Sequence, residues 1–159
     1  MDVDIIEEHE MFRAIDRSSA RALLIGRRAL VAIGLPVLTS DYDFWAHRDD
    51  IEKLNAALEP LGLIANKSPE QARATGRYVL ENGEHVDVLN ARAVQSKVTA
   101  EMVTFDDVWS RRRELVYEPG IRIFVPTIDD LIKTKQWAMR EKDLVDIKLL
   151  EAKRAEEQR

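Results

Sequence analysis

Apolar residues recur at roughly helical spacing from Asp4 to about Ser19, where Ile5, Ile6, Met11, Phe12 and Ile15 predict an amphipathic first helix over 4–19. The pattern then becomes continuously apolar. Arg21-Ala22-Leu23-Leu24-Ile25-Gly26 predicts a short buried strand ending in glycine, and Arg27 to Ile33 predicts a short helix stopped by Gly34 and Pro36. Leu38-Thr39-Ser40-Asp41-Tyr42-Asp43-Phe44-Trp45-Ala46 reads as a second buried strand. Ile51, Leu54 and Leu58 form the inward stripe of the next helix, with Asp49 or Asp50 as its N-cap, and Asn66 to Ala74 is polar enough for a loop or a short helix.

Arg77 to Glu81 and Glu84 to Leu89 flank Asn82-Gly83, the pair that two-residue hairpin connections prefer. Phe105-Asp106-Asp107-Val108-Trp109 starts a further helix, and Leu115 to Tyr117 with Ile121 to Val125 make a second hairpin-like unit around Pro119-Gly120. Thr127 caps the last helical region, with Asp130 completing a capping-box-like pair. Ile128, Leu131, Ile132 and Met139 mark its inward face, and Leu144, Ile147 and Leu150 continue the packing before the charged tail at 151–159.

Composition narrows the class. A chain of 159 residues suits a single domain, with a core over about 22–150. A net charge of -5 argues against coating nucleic acid through bulk charge. The chain has no cysteine, which excludes disulfides and thiolate metal sites and fits a reducing compartment. No apolar run approaches the roughly 20 residues that cross a bilayer, and the acidic N-terminus is unlike a signal peptide, so the expectation is a cytoplasmic protein with no membrane partner.

Against that background, Asp41 and Asp43 are out of place in an apolar strand. Two residues apart, they share one face, with Cα atoms roughly 6.5 to 7 Å apart, while Tyr42 and Phe44 share the other. Like charges on one face repel; a divalent cation would remove the conflict, and a strand end or Asx-turn at the surface would avoid it. Asp87 lies between Val86 and Val88 in a strand too apolar to be an edge. If the two strands pair, about 4.8 Å apart, three carboxylates meet at one point, the arrangement of two-metal phosphoryl transfer. His85 shares the Asp87 face. Lys135 falls on the apolar stripe of the last helical region, seven residues after Ile128, where it either meets an anionic partner, a nucleotide phosphate or a carboxylate such as Asp143 or Asp146, or snorkels its head to water. The triplet Arg111-Arg112-Arg113 suits either a polyanionic substrate or a solvated helix face.

Taken together, Gly26 after a strand, Asp41-Tyr42-Asp43, Val86-Asp87-Val88, Asp130-Leu131-Ile132 to Lys135, and Arg140-Glu141-Lys142-Asp143-Leu144-Val145-Asp146 resemble the nucleotidyltransferase superfamily with a DNA polymerase β-like palm. More narrowly, the chain resembles the small single-domain bacterial members, including those grouped with toxin and antitoxin systems or with antibiotic-modifying enzymes. The resemblance implies an α+β fold, a mixed β-sheet flanked by helices with a helical C-terminal segment. It implies that Asp41, Asp43 and Asp87 hold Mg²⁺, with Asp87 also placed to activate the acceptor hydroxyl. An NTP would lie against Gly26, with Lys135 neutralising its phosphates, and a nucleoside monophosphate would pass to an acceptor hydroxyl on an RNA end, a protein or a small molecule. A partner protein or a second copy would supply specificity. Where the family places Gly-Gly or Gly-Ser this chain has Gly26-Arg27, and where relatives read Pro-Arg it has Pro36-Val37, so Arg27 is expected to supply the lost phosphate-binding guanidinium. The alternative is a catalytically degenerate binding or regulatory module, including half of a toxin-antitoxin pair; a metal-dependent nuclease is a distant third.

Overall fold

The structure, a computed structural model, describes residues 7–159. Helix α1 (Glu8–Ser18) buries Met11, Phe12 and Ile15 and ends at Ser19 in the left-handed conformation. It was expected to begin at Asp4, but Ile5 and Ile6 lie outside the described residues. Strand β1 (Ala22–Ile25) runs through Gly26 directly into α2 (Gly26–Ala32), and β2 spans Tyr42–Ala46. A 3-10 turn, Arg48–Asp50, leads into α3 (Ile51–Leu58), followed by the short β3 (Ile64–Ala65) and α4 (Pro69–Thr75). Then come β4 (Arg77–Glu81), β5 (His85–Leu89), β6 (Ala93–Gln95) and β7 (Met102–Thr104). Helix α5 (Phe105–Arg111), β8 (Arg113–Glu118), β9 (Ile121–Val125), α6 (Ile128–Ala138) and α7 (Glu141–Glu157) complete the chain.

Five strands form a mixed sheet in the order β1-β2-β5-β4-β3, in which β2 and β5 are parallel and the other neighbours antiparallel. Two further two-stranded ribbons, β6-β7 and β8-β9, flank it. The sheet's two faces carry different chemistry because side chains alternate along each strand. Ala22, Leu24, Tyr42, Phe44, Val86 and Val88 point into the larger core, beneath α1 and α3. On the other face Leu23 and Trp45 pack against Val94, Val103, Phe105 and Val108. That second face is apolar only at one end: the next positions along it are Ile25, Asp43 and Asp87.

Several expectations need correction. The Asp-x-Asp strand begins at Tyr42 rather than Leu38. Its neighbour β1 turns into α2 at Gly26, so residues 38–41 have no ladder to join, and arginines take their carbonyls instead. Arg27 donates to Leu38 O at 3.2 Å, and Arg28 to Thr39 O at 3.1 Å and Asp41 O at 3.3 Å. The hairpin loop holds three residues, because Glu81 pairs with His85 and Glu84 stays in the turn, where its N–H donates to Asn82 Oδ1. Asp50 takes the N-cap position of α3, as expected, but its side chain makes no capping bond. Its buried carboxylate takes the Arg21 guanidinium at 2.8 and 3.0 Å and the Arg21 N–H at 2.8 Å. Thr127 caps α6 by accepting from the Asp130 N–H, but the Asp130 carboxylate does not return the bond; it holds Arg111 at 2.9 and 3.0 Å. The arginine triplet is therefore divided: Arg111 neutralises buried Asp130, Arg112 stacks on Trp109 with its guanidinium 4.0 Å from the ring centre, and Arg113 opens β8. Met139 lies past the end of α6, in the left-handed conformation that turns the chain into α7. The segment from Asn66 to Ala74 resolves into α4 with a Ser68–Gln71 capping box.

Candidate functional site

In the parallel register of β2 and β5, Asp43 faces Asp87 directly, with Phe44 opposite Val88. Both carboxylates stand on the face that Trp45 and Leu23 close off at one end, so they are held over a floor of packed side chains. Asp41 precedes the strand and is exposed, on the segment fastened by Arg27 and Arg28. All three line one cleft of about 660 Å³, bounded also by Gly26, Lys135 and the start of α7. Among the described residues no three histidine, cysteine or acidic side chains are already drawn together as a ligand set.

Gly26 has a reason to be glycine beyond turn geometry. Its φ is +67°, and a Cβ there would sit 2.7 Å from Asp43 Oδ2. No L side chain fits that position without moving the carboxylate.

Charge in the cleft is divided between satisfied and unsatisfied groups. Burial pushes the Asp43 carboxyl up to about 6, and the charges of Asp87 and Asp41 add to it, outweighing Lys135 and Arg140. His85 Nε2 lies 3.7 Å from Asp87 Oδ2, a contact too long for a hydrogen bond. The other carboxylates are compensated. Asp146 is fully buried, accepting from Lys135 Nζ at 2.9 Å and from the Arg27 guanidinium at 3.1 to 3.3 Å. Burial alone would raise its pKa, but the Arg27 and Lys135 hydrogen bonds and charges together hold it below the ordinary carboxylate value. Asp143 lies 3.6 Å from Lys135 and accepts from the Arg140 N–H at 2.9 Å and Nε at 3.1 Å, and it too is lowered against the effect of burial.

The sequence-selected residues thus separate into two groups. Asp41, Asp43, Asp87 and Gly26 meet at the cleft. Lys135 lines it as well, but its ammonium group is shared with Asp146 and Asp143, the carboxylate partners that the sequence offered as one option. Arg27 points instead into Asp146 and is not among the residues lining the cleft. Arg140 and Lys142, from the C-terminal block, reach the cleft, as do Lys67, Arg77 and Trp137, which sequence reasoning missed. Arg77 had a legible signal: it shares alternate positions with Val79, whose register partner is Asp87, so it stands on the carboxylate face. Lys67 and Trp137 had none.

A family model described as nucleotidyltransferase of unknown function (DUF6036) matches residues 3–152. No curated protein matches the chain. Among solved structures, the antibiotic-resistance factor ANT(2")-Ia in complex with adenylyl-2"-tobramycin is similar with TM-score 0.65 at 15% identity, over 95% of this chain and 89% of that one. The lincosamide antibiotic adenylyltransferase LnuA, lincomycin-bound, is similar with TM-score 0.60 at 17% identity, over 92% and 97% of the two chains. A candidate nucleotidyltransferase from Thermotoga maritima is similar with TM-score 0.58 at 13% identity, over 95% and 87%.

Proposed function

Since the chain belongs to the nucleotidyltransferase family whose model spans residues 3–152, we propose that it transfers a nucleoside monophosphate from an NTP to an acceptor hydroxyl, with Mg²⁺ held by Asp41, Asp43 and Asp87. The observation that carries this reading is the direct pairing of Asp43 with Asp87 across β2 and β5 in an open cleft, where burial and then the charges of Asp87 and Asp41 raise the Asp43 carboxyl to about 6.

The donor chemistry fits the ion. All three groups are carboxylates, the hard oxygen ligands that Mg²⁺ prefers. Bound there, Mg²⁺ would neutralise the carboxylates and the developing charge on the phosphates. The chain's own part is positioning. Gly26 leaves the space beside Asp43 open, and the Arg28 bonds to Thr39 O and Asp41 O fix the segment that carries Asp41. Lys135 and Arg140 supply positive charge on the flank of α6 and α7, where the triphosphate would lie. In the reaction an acceptor oxygen forms a bond to the α-phosphorus and the bond to the bridging oxygen of pyrophosphate breaks. The acceptor's hydroxyl proton passes to a carboxylate, a role assigned to Asp87, opposite Asp43. No covalent protein intermediate is needed, so rate would come from orientation and charge.

A second reading has its own observation. Arg27, at the position where the resemblance implies a small residue, is committed to Asp146, as in a fold kept for binding rather than catalysis. A metal-dependent nuclease using the same carboxylates is the remaining option. The lowest-cost test is calorimetric titration of ATP, GTP, CTP and UTP with and without Mg²⁺, comparing the native chain with Asp41→Asn/Asp43→Asn. Mg²⁺-dependent binding that the variant loses supports transfer, and no binding by the folded native chain favours the degenerate module. A cytoplasmic location and a place in a toxin-antitoxin pair belong to the same proposal, as does a partner protein or second copy supplying specificity. Among the described residues no helix is long and apolar enough to cross a membrane.

A further inference from the structure

We infer that the acceptor carries negative charge close to its reacting hydroxyl, a phosphate-bearing molecule and not a polycation. The inference rests on the proposed transferase reading of the carboxylates. It starts from the sheet order β1-β2-β5-β4-β3, which puts Asp43 and Asp87 in the middle with a flank on each side. On the β1 side stand α2, α6 and α7, joined by the Arg27–Asp146 and Lys135–Asp146 bonds, and from there Lys135, Arg140 and Lys142 reach the cleft. The opposite flank, beyond Asp87, is β4 with the segment that joins β3 to α4.

That far flank is basic as well. Arg77 projects from β4 on the face of Val79 and Asp87, exposed, and no carboxylate holds its guanidinium in an ion pair among the described residues. Lys67 is set beside it: its ammonium group donates to Arg77 O at 2.9 Å and to Thr75 Oγ1 at 3.0 Å, neutral oxygens that leave its charge uncancelled. The acidic neighbour of Arg77 on its own face is Asp87, one of the three carboxylates assigned to the metal, while Glu81 and Glu84, further along the hairpin, do not line the cleft. In a chain of net charge -5, two uncompensated cations on the wall opposite the nucleotide's are against the general trend. Such a wall repels an acceptor rich in ammonium groups and attracts one bearing phosphate, for which a guanidinium is the better partner.

The test titrates three probes calorimetrically into the full chain, both nucleotide-free and saturated with a non-hydrolysable ATP analogue and Mg²⁺: ribose 5-phosphate, a 5′-phosphorylated RNA pentanucleotide, and tobramycin as a polycation. At least one phosphate-bearing probe is expected to bind, tobramycin is not, and Arg77→Glu should weaken the bound probe tenfold or more while leaving nucleotide affinity within about threefold. Which probe binds tells a small sugar phosphate from an RNA end. Arg77→Gln should give a smaller loss in the same direction, and circular dichroism of both variants excludes misfolding as the cause. Tobramycin binding in preference to the phosphates, binding of neither phosphate, or indifference to Arg77→Glu would overturn the inference. The nucleotide titration is scored separately: its failure in the native chain removes the transferase reading, whereas the charge preference of the far wall is decided by the probe titrations on the nucleotide-free chain.

Discussion

Asp43 and Asp87 lie directly opposite one another on adjacent parallel strands, and among the described residues neither carboxylate receives a hydrogen bond from a basic side chain. The contrast is with Asp143 and Asp146 on α7, each tied to cations. One chain therefore holds one set of acids paired with cations, although Asp143 Oδ1 lacks a hydrogen-bond partner, and another set, in the cleft, with no such pairing.

That exposed conflict makes Asp43 a cost to the metal-free fold. Its folded pKa of about 6 exceeds the ordinary 3.8, so the folded state holds its proton longer than the unfolded chain does. Stability from this group is present below pH 3.8 and falls away as pH rises to about 6. Asp43→Asn should remove that loss and raise stability at pH 8 by about 1 kcal/mol, a figure discounted for partial solvent access. Thermal melts of both proteins from pH 4 to 8 without metal check it, and Mg²⁺ should then stabilise only the native chain.

Gly26→Ala should destabilise the fold by about 1 to 2 kcal/mol through the left-handed backbone alone, with a further loss from the 2.7 Å approach to Asp43 Oδ2. In a double-mutant cycle, Asp43→Ala should recover the second loss and not the first. Chemical denaturation of the four proteins measures both.

Asp146→Asn leaves Lys135 with only Asp143 at 3.6 Å and Arg27 with only the Leu38 carbonyl, and breaking a buried pair costs about 3 kcal/mol. Because the native Asp146 and Asp143 carboxyls sit below their ordinary value, their stabilisation is present above about pH 3.8 and is lost as pH falls through the lowered values. The variant's stability deficit, from urea melts, should therefore shrink at the acid end.

Arg28→Met removes the bonds to Thr39 O and Asp41 O, the stacking 4.1 Å above Tyr42 and the contact with Glu8. Stability should fall by only about 1 kcal/mol, as for a pair near the surface, while Mg²⁺ affinity should drop about tenfold because the Asp41 segment loses its anchor. A matched titration on Arg112→Met, whose side chain stacks on Trp109 and Phe124 away from the cleft, should leave Mg²⁺ affinity unchanged.

The parts legible in the sequence are those with a strong local period or an out-of-place charge. Asp87 among valines and the Asp-x-Asp pair mark the sheet centre, and Thr127 and Gly26 mark real helix starts. The ribbon of β6 and β7 and the two-residue β3 were missed, because strands of two or three residues carry too few positions to show alternation. The partners of the arginines are illegible for a different reason. Arg21, Arg27 and Arg111 serve buried carboxylates 29, 119 and 19 residues away, and no local pattern records a partner that distant. The place of Lys67 in the far wall is hidden likewise, since it becomes a neighbour of Arg77 only when α4 folds between them.

The most direct measurement is electron paramagnetic resonance of Mn²⁺, standing in for Mg²⁺, titrated into the native chain and Asp87→Asn with a non-hydrolysable ATP analogue present. Nucleotide-dependent uptake of Mn²⁺ by the native chain, weakened tenfold or more in Asp87→Asn, is the expected result. Equal uptake by the two proteins, or none by the folded native chain, would contradict the assignment of the Asp43–Asp87 pair as the metal site.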